Sequence, residues 1–413
     1  MAMKNDPRIL LYSHDTFGLG HLRRSLAIAA QIAQDIPGAS QLLLTGSMVA
    51  GAFDLPPGLD MVKLPALTKR SDGRYTARVL PLTLKQTLNW REQMILQAAI
   101  NFEPDLLLVD KAAAGVQGEL LPTLRYLKAW SPQTRLVLGM RDIEDAPAAT
   151  IREWRANGVP ALLEDVYDQI LYYGQRSVFD AVAQYRMSDV AAGKLVECGY
   201  LRRAQHTRLP ADVRQELGIG EQPLVVVTVG GGGDGHELIN GYLQMLSQSR
   251  CLPFHSLLVT GPLMTDERRD LLEQMADRPD VTFMKFTPDL VSYMRAADLV
   301  ISMAGYNTTC EILSLQKRAI LVPRVKVRQE QKLRASHLAD LGLTRQLLPH
   351  QLQPSRLLAE IERSLALPEP IVNLNLDGLN TITKTIQSAL PAPAPKASPV
   401  VSWPALKPVP VYA

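Results

Sequence analysis

A glycine turn followed by a histidine stands near the start of the chain. Residues 13–31 read SHDTFGLGHLRRSLAIAAQ, so that Gly18 and Gly20 follow an apolar run and His21 opens an amphipathic stretch. The glycines suit a turn that approaches a phosphate closely, yet no third glycine arrives at the spacing of a dinucleotide site. In its place stands an imidazole, a group that titrates near neutral pH and can exchange protons with a substrate.

A second glycine-rich loop follows a later apolar run. Residues 229–237 read VGGGGDGHE, and Gly230, Gly232 and Gly235 formally match the G-x-G-x-x-G pattern. A nicotinamide site also needs an acid after the next strand, where this chain has a Thr-Gly pair, and no Gly-Lys-Ser/Thr follows to make a P-loop. The loop, with Gly231 at its centre, is predicted to offer backbone N–H groups to an anion. The alternative is a plain strand-to-helix turn.

A third element, DLVISMAGYNTTCEIL at residues 298–313, carries a more specific signal. A buried strand is predicted to end at Gly305, and a helix is predicted to begin near residues 307–309. Asn and Thr are good N-caps, and the bare N–H groups of a helix start attract a phosphate. Glu311, predicted in the first turn, either complements the helix dipole or accepts hydrogen bonds from two vicinal hydroxyls, as on a ribose.

Two sheets are needed to carry these loops. In the first half, apolar runs alternate with helical stretches, and the runs lie at residues 8–13, 41–46, 60–65, 105–110, 135–140 and 168–173. In the second half the pattern restarts with PLVVVTVG and continues through FHSLLVTG, VTFMKF, DLVISMAG and RAILVPR. Unbroken apolar strands are typical of a parallel sheet covered on both faces. The fold class is therefore α/β, with two doubly wound Rossmann-like domains.

The domain boundaries follow from changes in composition. We expect a first domain over residues 1–201, a polar linker over 202–222 and a second domain over 223–390. The tail, residues 391–413, has seven prolines in 23 residues and is predicted to be disordered or extended. Ligands of such sheets sit beyond the carboxyl ends of the strands, so two facing domains would enclose one cleft for a donor and an acceptor.

Composition excludes several function classes. A net charge of +3 over 413 residues carries no bulk nucleic-acid signature, so no nucleic-acid partner is expected. Three cysteines, Cys198, Cys251 and Cys310, are far apart and odd in number, which favours a reducing compartment over a disulfide framework or a zinc site. No signal-peptide pattern opens the chain, and no apolar run reaches the about 18 residues of a membrane span. A cytoplasmic protein is predicted.

Together these elements resemble the GT-B glycosyltransferases of the family 28 type, in particular the branch with the bacterial N-acetylglucosaminyltransferase that forms lipid II. That branch has a Gly-x-Gly-His turn in its first domain and a glycine-rich loop in its second; here they are GLGH and GGGGDG. Its Ser-x-Ala-Gly-x-x-Thr-x-x-Glu stretch is SMAGYNTTCE here, and a Gln-bearing segment follows as RQEQKLRA. The likeness covers residues 8 to about 345 and is specific as a combination, although each motif alone is common.

The resemblance implies that the second domain binds a nucleotide sugar, UDP-linked in most of the family. Carried over residue by residue, Gly305, Asn307 and Thr308 would lie near the diphosphate. Gly231 and Gly232 would contribute the glycine-rich loop of the same donor site.

Three further donor contacts come from the same likeness. Glu311 would hold the ribose hydroxyls, Phe286 would lie near the base, and Gln331 would contact the donor sugar. Two departures put the donor sugar in doubt: the family has Asn where this chain has Arg334, and a second Gln where it has Glu330.

On the acceptor side the likeness gives His21 a role, with Gly18, Gly20 and Arg24 in the same loop. His21 would take the proton of the acceptor hydroxyl as a general base, which suits a pKa near neutrality. The alternatives are a hydrogen bond to a phosphate or acceptor, and a cap on the helix.

No metal and no cofactor are expected. The chain shows no convincing DxD-type carboxylate pair, and GT-B enzymes typically offset the charge of the leaving diphosphate with helix dipoles and backbone amides. One direct displacement would invert the anomeric carbon.

Two rival functions remain open. The UDP-sugar hydrolase of the pseudaminic acid pathway has a Gly-x-Gly-His-x-x-Arg turn, which Arg24 completes here, and its histidine activates water. A nucleotide-sugar sensor that kept the fold and lost the chemistry is the non-enzyme alternative. Hydrolysis of the donor without any acceptor distinguishes the first, and tight binding without turnover the second.

The acceptor leaves one trace in the sequence. Between residues 63 and 91 only Asp72 opposes seven basic residues, which are Lys63, Lys69, Arg70, Arg74, Arg78, Lys85 and Arg91. Leucines and Trp90 stand among them, so the segment suits an anionic membrane surface or a phosphorylated or lipid-linked acceptor. A peripheral position at the inner face of the membrane is one outcome, and a solvated helix face is the other.

Overall fold

The structure of the chain is a computed structural model, which describes residues 6–14, 20–69, 74–202, 207–249 and 252–390. Its strands are β1 Arg8–Ser13, β2 Ser40–Thr45, β3 Leu59–Lys63, β4 Leu67–Lys69, β5 Tyr75–Ala77, β6 Leu106–Asp110, β7 Arg135–Arg141, β8 Gln169–Tyr173, β9 Leu195–Glu197, β10 Leu224–Thr228, β11 His255–Val259, β12 Val281–Met284, β13 Leu299–Ser302, β14 Ala319–Leu321 and β15 Arg345–Gln346.

The helices fill the intervals between these strands. They are α1 Gly20–Asp35, α2 Leu84–Phe102, α3 Leu121–Trp130, α4 Pro147–Ala156, α5 Val159–Ala161, α6 Ala181–Tyr185, α7 Asp189–Gly193, α8 Pro210–Glu216, α9 His236–Ser247, α10 Asp266–Met275, α11 Leu290–Ala296, α12 Tyr306–Ser314, α13 Glu330–Asp340, α14 Pro354–Ala366 and α15 Gly378–Ala389.

Two parallel sheets organise the chain. The first has the order β3-β2-β1-β6-β7-β8-β9 and the second the order β12-β11-β10-β13-β14-β15. Every residue of β6 and β10 is buried, because helices cover both faces of each sheet. All the strands predicted from apolar runs are present, which confirms the α/β class with two doubly wound units. The short strands β9 and β15 and the hairpin β4–β5 were not predicted, since two or three residues make no periodic pattern.

The strand register decides which loops meet. Tyr12 of β1 pairs with Val109 of β6, and Asp110 pairs with Gly139 of β7. The carboxyl ends of β1, β6 and β7 therefore lie in line, and the residues that follow them share one edge of the sheet.

The segments around the predicted linker pack onto both units. Helix α8 lies inside the linker range and packs against α11 of the second unit. Just before these two helices, Arg208 Nε donates to Asp289 Oδ2 at 2.7 Å. At the other end, α15 returns to the first unit, and its Gln387 Nε2 donates to the carbonyl of Asp35 at 2.7 Å. The boundaries at residues 201 and 223 stay predictions, and the proline-rich tail lies outside the described residues.

No helix within the described ranges combines the length and apolar character needed to cross a bilayer. Cys198 and Cys310 are buried free thiols, while Cys251 lies outside the described residues.

Candidate active site

His21 is held by a carboxylate from the neighbouring strand. It is the second residue of α1, and its Nδ1 lies 2.6 Å from Oδ2 of Asp110, the last residue of β6. The fold makes this pair, because α1 begins at the carboxyl end of the sheet, where β6 also ends. With Nδ1 engaged, Nε2 is the ring nitrogen left to meet a substrate. The side chain thus binds a carboxylate. It does not cap the backbone of its helix, which was the third alternative drawn from the sequence.

Arg24 grips the same carboxylate from one turn further along α1. Its Nε donates to Asp110 Oδ1 and its Nη2 to Asp110 Oδ2, both at 2.8 Å. Arg24 and Asp110 are nearly inaccessible, with side chains 3% and 5% exposed. This two-pronged pair fixes the carboxylate in one orientation, which in turn fixes the imidazole of His21.

Burial governs the protonation of the group. Removal from water lowers the pKa of His21 to about 4, although the nearby Asp110 carboxylate works in the other direction. Burial would also raise the pKa of Asp110, but Arg24 and His21 outweigh it and lower that pKa. Because Arg24 already neutralises Asp110, the carboxylate orients the imidazole more than it raises its basicity. His21 is therefore neutral at pH 7, and the pKa near neutrality expected from the sequence is corrected downward.

Helix α12 faces this group from the second unit. It begins at Tyr306 with Gly305 as its N-cap residue, and no side chain caps it. The expectation that Asn or Thr would cap it is wrong, because Asn307 Nδ2 instead donates to the carbonyl of Gly20 at 3.1 Å, across the cleft. A Cβ placed on Gly305 would meet nothing within 4 Å, so there is room beside this N-cap residue, and Thr308 lies in the first turn that follows.

Glu311 lies one turn deeper in α12 than the sequence suggested. It stands in the second turn, which removes the helix-dipole interpretation, and its side chain is 8% exposed. Its Oε1 lies 3.8 Å from Arg23 Nη2 of the first unit. Glu311 also borders a pocket of about 230 Å³, together with Arg202, Thr207, Val291, Arg295, Ser314 and Leu315.

The glycine-rich loop owes its glycines first to close packing. Gly230 and Gly232 have φ angles of 61° and 90°, in the left-handed region. A Cβ on Gly232 would come within 2.2 Å of the carbonyl of Thr260. Gly231 faces the side chain of Leu263, which a Cβ would approach to 3.3 Å. The loop follows β10 on the cleft side, as predicted, while anion binding by its amides stays a prediction.

The remaining predicted donor residues lie on different elements of the second unit. Gln331 is 9% exposed, and its Oε1 accepts a hydrogen bond from the backbone N–H of Arg324 at 3.0 Å. Phe286 is 52% exposed, after β12. On the acceptor side Gly20 opens α1, whereas Gly18 lies outside the described residues.

Arg334, the departure from the family pattern, connects the two units. Its Nε and Nη2 donate to Asp142 Oδ2 and Oδ1 at 2.7 and 2.6 Å, and its Nη1 donates to the carbonyl of Ala304 at 2.7 Å. Both charged side chains are 1% exposed. The guanidinium thus forms its hydrogen bonds with groups of the protein itself. Asp142, the residue after β7, is a functional position that the sequence did not single out.

One aromatic ring contacts both arginines. The guanidinium carbons of Arg24 and Arg334 lie 5.6 and 5.7 Å from the centre of the Tyr306 ring. Tyr306 is the first residue of α12 and is 5% exposed. Cation–π contacts of this kind attract, and more strongly when desolvated. The donor-side helix is therefore packed against the pair that orients His21.

The groups gathered here provide a neutral imidazole, an anchored carboxylate and a helix start that no side chain caps. In the part of the chain that the structure describes, no three His, Cys, Asp or Glu side chains are grouped so as to hold a metal ion.

Known proteins are similar to this chain in sequence and in fold. Residues 224–372 match the glycosyltransferase family 28 C-terminal domain. A curated relative from Bacillus cereus, UDP-N-acetylglucosamine–N-acetylmuramyl-(pentapeptide) pyrophosphoryl-undecaprenol N-acetylglucosamine transferase 1, is 24% identical over 164 residues, which are 40% of this chain and 45% of that protein. The chain thus matches about half the length of that relative.

Two solved structures share the fold over nearly the whole chain. The glycotransferase of kitacinnamycin has a TM-score of 0.61 at 16% identity and covers 94% of this chain and 100% of its own. MurG of Acinetobacter baumannii has a TM-score of 0.57 at 14% identity, with 92% and 99% covered. Residues 224–372 are thus similar to the C-terminal domain of glycosyltransferase family 28. The chain as a whole has the GT-B fold, as the resemblance in its motifs predicted.

Proposed function

We propose that the protein is a glycosyltransferase that moves a sugar from a UDP-linked donor to a hydroxyl of an acceptor. The observation that carries the proposal is the His21–Asp110 contact of 2.6 Å, across the cleft from the start of α12, which no side chain caps. The family 28 match over residues 224–372 supports the donor class. The name of the Bacillus cereus relative describes N-acetylglucosamine transfer from UDP-N-acetylglucosamine.

In the proposed reaction the acceptor oxygen attacks the anomeric carbon from the His21 side. A bond forms between that oxygen and the carbon while the bond from the carbon to the diphosphate breaks, and its electron pair leaves with the UDP. The hydroxyl proton passes to Nε2 of His21, whose Nδ1–H donates to Asp110. A single displacement of this kind inverts the anomeric carbon.

The donor would lie on the second unit. Backbone N–H groups at the start of α12, beside Gly305 and Thr308, would face the diphosphate and offset the charge that develops on it. Glu311, at the rim of the 230 Å³ pocket, would accept hydrogen bonds from the ribose hydroxyls. These donors and dipoles supply the stabilisation that a metal supplies elsewhere, so we propose a metal-independent transfer.

A lipid-linked or phosphorylated acceptor fits an exposed surface of the first unit. Val79, Leu80 and Trp90 are 65%, 39% and 46% exposed and border a groove of about 260 Å³. The exposed cations Arg74, Arg78 and Lys85 belong to the same segment. Apolar and basic side chains together suit the surface of an anionic membrane, which supports a peripheral position there.

Arg91 is a correction to that basic segment. It is fully buried, and its Nε donates to Glu119 Oε2 at 2.6 Å. Its role is structural. Lys69, Arg70 and Asp72 carry no described side chain, so the surface rests on the remaining residues.

The test is donor turnover measured as UDP release. We expect slow release from a UDP-sugar alone and fast release once a lipid extract supplies the acceptor, with EDTA leaving both rates unchanged. For the His21→Asn variant, a matched control is His350→Asn, which changes an exposed histidine that is not among the candidate site residues. Release that is equally fast without acceptor would instead support the hydrolase, and restoration by magnesium or manganese after EDTA would contradict metal independence.

A further inference from the structure

A buried cluster of charged side chains lies beside His21 and takes no part in the proposed transfer. Lys111 directly follows Asp110 at the end of β6, Arg141 is the last residue of β7, and Glu144 stands three residues later. Lys111 Nζ and Arg141 Nη2 lie 3.5 and 3.7 Å from Glu144 Oε2. Both distances exceed those of good hydrogen bonds, so the two cations share one carboxylate oxygen without being saturated by it.

Several polar atoms of this region are buried without a partner. Arg141 Nε, Glu144 Oε1 and His14 Nδ1 have no hydrogen-bond partner among the described residues. The side chains of Lys111, Arg141 and Glu144 are 15%, 13% and 8% exposed. Buried donors and acceptors are nearly always paired in folded proteins, because an unpaired one has lost its water without compensation. Unpaired atoms of both kinds, gathered at a cleft, indicate a place for a polar ligand.

The backbone supports the same conclusion. Lys111 has φ 69°, in the left-handed region that a residue with a side chain rarely adopts. Its N–H donates to the carbonyl of Gly139 at 2.7 Å, which holds this conformation and directs the side chain toward Glu144. Strain of this kind persists at ligand sites, where the neighbouring structure enforces it.

The cations of the cluster outnumber the carboxylates within ion-pairing distance. Arg328 approaches from the second unit, but Glu153 holds it through two oxygens at 3.1 Å. Within 4 Å, Glu144 is the one described carboxylate that Lys111 and Arg141 contact. The carboxylate of Glu330 acts on Lys111 from farther away and already accepts a hydrogen bond from Arg324. Burial, with Arg141 nearby, lowers the pKa of Lys111 to about 8, so that it remains mostly charged at pH 7.

We propose that Lys111 and Arg141 bind an anionic group of the sugar substrate in the cleft, and that Glu144 accepts a hydrogen bond from a hydroxyl next to it. The anion is a carboxylate or a phosphate, since each can accept from an ammonium and a guanidinium together. It has two possible sources, a nucleotide-linked uronic acid as donor or an acidic group on the acceptor. The inference rests on the proposed function, which places both substrates in this cleft.

The donor source is tested by comparing two donors that differ in one group. Binding of UDP-glucuronic acid and of UDP-glucose is measured by calorimetry on the full chain, on Arg141→Gln and on Arg125→Gln. Arg125 is an exposed cation on α3 and serves as the matched charge control. If the donor carries the anion, we expect UDP-glucuronic acid to bind about 10-fold tighter than UDP-glucose, or more. Of the two variants, only Arg141→Gln should remove this preference.

The acceptor source is tested with the donor site filled. Methyl phosphate and acetate are titrated into protein saturated with UDP, so that the diphosphate site cannot bind them. If the acceptor carries the anion, the two donors bind alike, one small anion still binds, and Arg141→Gln weakens it about 10-fold or more. Arg125→Gln should bind it as the original chain does.

The outcomes separate this inference from the proposed function. No anion-dependent binding in either arm, or full retention of it in Arg141→Gln, would overturn the anion site while leaving UDP binding intact. Absence of UDP binding would instead overturn the proposed function. Arg141→Lys keeps the charge but loses the planar fork, so a partial loss is expected from it if Arg141→Gln fails to fold.

Discussion

Two aspartate–arginine pairs stand at the ends of neighbouring strands, and they differ in where the arginine comes from. Asp110 ends β6 and is gripped by Arg24 from the same unit, at 2.8 Å through both oxygens. Asp142 follows β7 and is gripped by Arg334 from the other unit, at 2.6 and 2.7 Å. Only the first carboxylate also holds an imidazole. The same pair of residue types therefore orients a reactive group in one place and joins two domains in the other.

The largest effect is expected from His21. Replacing it with Ala or Asn should lower the rate of the chemical step about 10²–10⁴-fold, because the base that takes the acceptor proton is lost. UDP affinity should barely change, since the donor lies mainly on the second unit. Single-turnover kinetics and calorimetry measure the two quantities.

The Asn variant separates the roles left open by the sequence. Asn can hydrogen-bond Asp110 but cannot take a proton, so near-normal rates in His21→Asn would make His21 a binding residue. His350→Asn should leave the rate unchanged.

The next effect is on stability, at the interdomain pair. Asp142→Ala leaves the guanidinium of Arg334 buried and uncompensated, and should lower the free energy of unfolding by about 3–5 kcal/mol. Denaturation in urea, followed by a probe in each domain, measures the loss.

A compensating variant sharpens the contrast between the two pairs. Asp142→Leu combined with Arg334→Met removes both charges and should recover most of the stability, because buried pairs are replaced by apolar residues at little cost. If the single and double variants are equally unstable, the effect of Asp142 does not come from the unpaired arginine.

A smaller effect is expected on the donor side. Glu311→Ala should weaken UDP binding by about 1.5–3 kcal/mol, the range for a hydrogen bond to a charged group. Calorimetry measures it, with Glu273→Ala on the exposed face of α10 as the matched control. Equal UDP affinity in Glu311→Ala and the original chain would remove the ribose assignment.

The smallest effect on activity near neutral pH is expected from a change in pH. The neutral form of His21 is the one that accepts a proton, and burial lowers its pKa to about 4. Activity that depends on His21 should therefore be full well above pH 4 and should fall as the pH drops through about 4. A pH profile of kcat/KM measures this, and an acidic limb near the ordinary pKa of about 6.5 would mean that the imidazole is far better solvated than its contacts indicate.

The fold was largely predictable because its signal is local. Unbroken apolar runs predict strands such as β6 and β10 from composition alone. The residue pairs that build the site were not predictable, because their members are distant in sequence: Asp142 and Arg334 are 192 residues apart in the chain. An aspartate at the end of a strand is common, and it is the pairing of β1 with β6 that puts Asp110 beside His21. The carboxyl end of a buried parallel strand, where Asp110 and Asp142 both stand, was the one sequence signal that could have pointed to them.

Arg334 shows the limit of carrying residues over from a family. The sequence identified it as a departure at a donor-sugar position. In the structure its guanidinium donates hydrogen bonds to Asp142 and to the carbonyl of Ala304. A side chain as long as arginine reaches a partner that Asn at the same position would not, so the family role does not transfer with the position.

A double-mutant cycle on the chemical step tests the division of labour between the two pairs most directly. Single-turnover rates at saturating donor are measured for His21→Asn, Asp110→Asn and Asp142→Asn, and for the combinations of each aspartate variant with His21→Asn. If Asp110 acts through His21, Asp110→Asn should slow the original chain but have little further effect once His21 is Asn. Asp142→Asn should slow both backgrounds by the same factor. Independent effects of Asp110 and His21, or strong coupling between Asp142 and His21, would contradict the account.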